Sequence, residues 1–165
     1  MNTDRSSLFL PWFNWWITIT LLLVFWLSSS IIIDLVIMPS LSATGMMDTE
    51  GFASAGYLIF GVFNRLELLS AAVVLAGFLA FTRNHILTKT KENLSIILAA
   101  LLLVIVVVYT YILTPEMAGW AMNLNLFQDS EKEIMPQAMA NLQQIYWFLE
   151  VIKMGIIVTL LRWIT

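Results

Sequence analysis

Cysteine is missing from this chain and histidine occurs once, at position 85. Without thiols there are no disulfides, thiolate metal centres or cysteine nucleophiles. One histidine cannot supply both axial ligands of a bis-histidine haem, and it leaves no usual ligand set for zinc. Charge is scarce as well: 12% of the residues are Asp, Glu, Lys or Arg, against about a quarter in ordinary soluble domains. The net charge of −3 comes with no long basic stripe, so nucleic acid is not an expected partner. No G-x-S-x-G, P-loop or dinucleotide fingerprint is present, and with them goes the usual footing for a catalytic site. The reading is therefore non-enzymatic, with no cofactor.

What the chain has instead is apolar surface. Of 165 residues, 60% are hydrophobic and the mean hydropathy is +0.87. A soluble fold of that composition would expose large apolar patches to water. A bilayer accommodates it, and its core takes about 20 apolar residues per helical crossing. Four stretches qualify, at about 15–38, 57–82, 94–113 and 142–164. Unpaired backbone groups are not tolerated in lipid, so each is read as a helix. That includes the β-branched run Val104–Val108, whose unbroken hydrophobicity overrides its strand preference. Pro39 and Pro115 mark expected ends of the first and third helices. The N-terminus lacks a basic region leading into a short apolar core and a cleavage site, so the first segment is read as a retained helix.

The expected fold is a single all-α domain, residues 1–165, a bundle of four transmembrane helices. Between the third and fourth, Met117, Trp120, Ala121, Leu124 and Phe127 recur every three or four residues. That spacing predicts a short helix lying in the outer interface. Lys and Arg set the orientation. Arg83, Lys89 and Lys91 lie between helices two and three, Arg5 and Arg162 near the ends, and the 1–2 connection has none. Positive-inside counting places both termini on the cytoplasmic side. Trp12, Trp15, Trp16 and Trp163 then mark the inner interface, and Trp120 and Trp147 the outer one.

Against this background "GVFNRLELLS" (61–70) stands out, because it puts Asn64, Arg65 and Glu67 inside an apolar span. With Asp34, Glu150 and Lys153, five ionisable residues fall within spans away from their cytoplasmic ends. Each unpaired charge costs about 2.5–3.5 kcal/mol on insertion scales, so partners are expected. At a rise of 1.5 Å per residue, Glu67 and Lys153 both lie roughly 15 Å below the outer boundary, Arg65 and Glu150 roughly 10–12 Å, and Asp34 roughly 6 Å. Glu150 and Lys153, three apart, share a helix face. The expected pairing is Glu67 with Lys153, with Asn64 as a hydrogen-bonding neighbour and Arg65 reaching Asp34 or Glu150. Three acids against two bases leave one carboxyl, Glu150 first, only partly paired.

Such a cluster has three readings. It fixes helix register and orientation, it carries ions or protons through Glu150, or it lines a polar pocket for a ligand or lipid headgroup. The methionines offer a separate candidate. Thioethers suit Cu(I), and Met46, Met47, Met117 and Met122 fall on the outer side. Methionine also fills irregular gaps under loops. Serines 28–30 read as small residues that allow close helix packing.

The segments "DLVIMPSL", "FGVFNRLELL", "YILTPEMAGW" and "LQQIYWFLEVIKMG" together resemble a family of short four-helix membrane proteins of unknown function, distantly similar to copper-resistance protein D. The resemblance implies the four-helix fold and no settled activity. A Leu-His pair belongs before the last helix in that pattern. Here Leu142 is followed by Gln143 and Gln144, which speaks against a histidine-based metal role. Three functions follow as expectations: an accessory or scaffold subunit that binds lipid and other membrane proteins, a transporter or ion- or proton-handling protein, and an outer-face Cu(I)-binding protein.

Overall fold

The computed structural model describes residues 15–46, 52–83, 89–126 and 137–164. Every element among them is helical: α1 (Trp15–Ile31), a π-helical segment π1 (Ile32–Ile37), α2 (Met38–Ala43), α3 (Phe52–Arg83), α4 (Lys89–Val108), a second π-helical segment π2 (Tyr109–Leu113), α5 (Thr114–Leu126) and α6 (Gln137–Ile164). Four helices are long and apolar enough to cross a membrane: Trp15–Ala43, Ser54–Thr82, Thr90–Trp120 and Ala140–Ile164. The chain thus has the form of a small multi-pass membrane protein.

Neither proline ends its helix. The first span runs through Pro39 into α2, and the third runs through Pro115 into α5. Proline lacks an N–H and its ring crowds the carbonyl four residues back. In both places a π-helical stretch immediately precedes it. The Met38 N–H reaches back five residues to the Ile33 carbonyl, and the Thr114 N–H reaches the Tyr109 carbonyl. The wider turn lets the chain carry a proline without stopping. The same continuity alters the reading of residues 117–127: as far as Leu126 they are helical, but as the direct prolongation of the third span. Phe127 lies outside the described residues.

Contacts fix the mutual directions. Trp16 packs on Phe81, with ring centroids 5.5 Å apart, and Trp26 meets Glu67, so α1 and α3 are antiparallel. Asn64 meets Thr114, so α3 and the third span are antiparallel. Asp34 meets Tyr146, so α6 opposes the first span. Trp15, Trp16 and Trp163 therefore gather at one end, the end that also carries Lys91 and Arg162.

Between that end and the middle of the bundle the interior is largely apolar, with Glu92 and Ser95 of α4 and Ser70 of α3 buried beside it. Ile19 and Leu23 of α1, Val74 and Phe78 of α3, Leu102 of α4 and Ile157 and Leu160 of α6 are fully buried. Within each helix such residues recur at three- or four-residue spacing and form one stripe. The opposite faces carry Leu21, Phe25, Leu58, Leu69, Phe148 and Val151, all exposed apolar side chains suited to acyl chains. Outside the cluster described below, hydroxyls such as Thr110 and Ser70 return to their own helix, to the Val106 and Leu66 carbonyls respectively. A lone hydroxyl is thereby satisfied in a medium without water.

Candidate functional site: a buried carboxyl–lysine cluster

Above the apolar core, three carboxylates and one lysine meet. Asp34, Glu150 and Lys153 are 1% exposed and Glu67 is 2% exposed, so all four are withdrawn from lipid and solvent alike. They come from three spans: Asp34 from π1, Glu67 from α3, and Glu150 and Lys153 from α6. The third span contributes Tyr109, from π2. Both π-helical segments thus lie at this level and each supplies a side chain to it. Segments of this kind often occur at functional sites.

Lys153 is the hub. Its Nζ lies 2.6 Å from Glu67 Oε1 and 2.7 Å from Glu150 Oε2. The second contact joins residues three apart on one helix face. The ammonium also stands 5.2 Å from the centre of the Tyr109 ring, within cation–π range. Glu67 Oε1 receives two further donors, the Trp26 indole N–H at 2.7 Å and the Ser30 hydroxyl at 3.3 Å. Tyr109 directs its hydroxyl at Glu150 Oε2, 3.1 Å away, with the Tyr146 carbonyl at 3.3 Å. Tyr146 donates to Asp34 Oδ1 at 2.8 Å, and its ring lies against that of Tyr109, centroids 5.1 Å apart.

Asp34 Oδ2 and Glu150 Oε1 are buried and receive no donor from the described residues. Their two carboxyl groups lie within hydrogen-bonding reach of each other.

Several sequence expectations are redirected. Arg65 joins neither Asp34 nor Glu150; it is exposed on the far side of α3. At 100° per residue it points about 200° away from Glu67. It lies inside the apolar span Ser54–Thr82, roughly 16 Å along the helix from Ser54. Side chains on a helix lean toward its N-terminus, and a long apolar stem carries the guanidinium in that direction. Asn64 is buried but turns to the third span, donating to Thr114 Oγ1 at 2.6 Å rather than to the Glu67–Lys153 pair.

Trp26, Tyr109, Tyr146 and Thr114 belong to the site without having been singled out by sequence, and Ser30, read there as a packing residue, donates to Glu67. Trp26 carried a signal: a tryptophan mid-span, far from either interfacial belt, has an N–H in need of an acceptor. Of the methionines, Met46 is exposed just beyond α2 and Met117 is half-buried on α5, while Met47 and the Met122 side chain lie outside the described residues. Among the described residues no group of three or more His, Cys, Asp and Glu side chains is arranged to hold a metal ion.

The chain matches no family model, no curated protein and no solved structure. These comparisons therefore support no likeness to the four-helix family or to copper-resistance protein D.

Proposed function

We propose that this chain is a non-enzymatic accessory or scaffold subunit of a membrane, both of its termini on the cytoplasmic side. The observation carrying the proposal is that Lys153 spans Glu67 and Glu150, while Trp26 and Tyr109 close the remaining sides. The membrane-embedded charges are spent on holding α1, α3, π2 and α6 in one arrangement. Polar groups of this kind set register and orientation, which suits a protein whose task is to present fixed outer faces. Arg65 supports the same reading: a cation on the lipid-facing side of α3 can meet lipid phosphate or an acidic group on a neighbouring membrane protein.

Mild-detergent purification from the native membrane tests the reading. Recovery in a complex of fixed stoichiometry is expected; recovery only as the chain by itself refutes it. The absence of cysteine simplifies the test of orientation. Single-cysteine variants at Ser42 and Thr90, both exposed, are expected to label from the outer and the cytoplasmic side respectively.

A second reading, ion or proton handling, is favoured by the excess of carboxyl groups over the single buried lysine. Reconstituted protein that drives pH-dependent flux, abolished by Glu150→Gln, would replace the scaffold reading.

A further inference from the structure

We propose that Asp34 and Glu150 together form a proton-binding site, one proton lying between Asp34 Oδ2 and Glu150 Oε1. A carboxylate is an acceptor only, and a buried acceptor without a donor costs about 1–3 kcal/mol, more when charged. In this cluster the donors are used up on other atoms. Trp26, Ser30 and Lys153 serve Glu67 Oε1; Lys153 and Tyr109 serve Glu150 Oε2; Tyr146 serves Asp34 Oδ1. The two oxygens of the cluster that are buried without a donor belong to the two carboxyl groups that face each other. Two ionised carboxylates cannot share such a contact, because like charges at that distance repel and neither has a hydrogen to give. A single proton resolves both deficits at once: one group becomes a donor, the other its acceptor, and the repulsion ends.

The surrounding charges agree. Lys153 is the one ammonium among the described residues of the cluster, and it already lies against two carboxylates, Glu67 and Glu150. The hydrogen-bond partners of Asp34 are the Tyr146 hydroxyl and Glu150, neither of them a cation, while the charges of Lys153 and Glu67 act on it through space with opposite sign. Tyr109 and Tyr146 both donate toward this pair and form its walls. A metal ion in place of the proton would need several more oxygen ligands, and the other carboxylate oxygens named here are turned to N–H and O–H donors. The proposal stands independently of the scaffold reading: a scaffold can hold a static shared proton, and a proton-handling protein can exchange it.

Infrared spectroscopy of the purified protein at neutral pH reads the proton directly, through the carbonyl stretch of a protonated carboxylic acid in an apolar site. The band is expected in the wild type. It should be lost in Asp34→Asn and in Glu150→Gln, since an amide N–H at either position replaces the shared proton and leaves the other carboxyl ionised. It should persist in Glu67→Gln, which leaves the pair intact. Asp34→Asn is also expected to stay folded where Asp34→Ala does not, because only the amide supplies a donor to Glu150 and an acceptor to Tyr146. Absence of the band from the wild type overturns the proposal whatever the variants do, as does a band that survives both amide substitutions.

Discussion

Lys153 on α6 and Glu67 on α3 lie 2.6 Å apart, nitrogen to oxygen, and both are almost wholly excluded from the surface. An ion pair this deep is held by geometry, since removing either charge from water is costly and only the partner offsets it. Lys153→Met should therefore destabilise the folded bundle by about 3–5 kcal/mol, because it strands Glu67 and Glu150 without a cation. Glu67→Gln added to it should restore part of that loss. A double-mutant cycle measured by chemical unfolding in detergent or lipid checks this, and additive losses would mean that the two side chains do not act as a pair.

Trp26 offers a gentler cut into the same network. Phenylalanine keeps an aromatic ring but cannot donate to Glu67. Trp26→Phe is expected to cost about 1–3 kcal/mol, the range for leaving a buried acceptor short of a donor. Ser30→Ala should cost less, since its hydroxyl is the longer contact at 3.3 Å and Glu67 keeps its other two donors. The order of the two variants in one unfolding series is the measurement; a serine loss larger than the tryptophan loss would reverse the assignment.

The part of this site that sequence reveals, and the part it hides, divide along a physical line. Depth and helix face are countable from residue numbers. Glu67 and Lys153 sit equally far into two helices that run the same way, and Glu150 shares a face with Lys153, so those relationships are legible. The four spans are legible for the same reason, as uninterrupted apolar length. Arg65 is not, because charge balance draws it inward while its position two residues from Glu67 turns it outward, and its long stem lets the charge move along the helix away from the span's centre. Tyr146 and Tyr109 are hidden because tyrosines near a membrane edge look like members of an interfacial belt. The continuation of helix through Pro39 and Pro115 is hidden too: local rules read proline as a stop, and the π-helical turns that bypass it register only in three dimensions.

Arg65 itself makes a sharp contrast with Lys153. It is exposed, and no partner within the cluster depends on it. Arg65→Gln should leave the stability of the purified bundle within about 0.5 kcal/mol of wild type, as surface substitutions do. The same unfolding assay that detects Lys153→Met checks it. A loss of several kcal/mol would place Arg65 in a buried contact and undo the rotation assigned to α3.

Gly77 tests the largely apolar half of the bundle, at a contact that involves no charge. A methyl group built there would run into Cδ1 of Ile19 and come within 2.8 Å of its Cγ1. Ile19 is completely buried in the core against which Trp15 packs, so it cannot swing aside freely. Alanine has the better helix propensity by about 1 kcal/mol. Overpacking a filled core costs about 1–3 kcal/mol, so the clash should outweigh that gain. Gly155 supplies the control, since nothing lies within 4 Å of where its methyl would be. Gly77→Ala is expected to lower the unfolding midpoint, and Gly155→Ala to hold or raise it. Because the two substitutions share the same backbone gain, their difference isolates the contact between α1 and α3. Equal midpoints would mean that Ile19 does not fill the notch at Gly77, and the antiparallel docking of those helices would need another register.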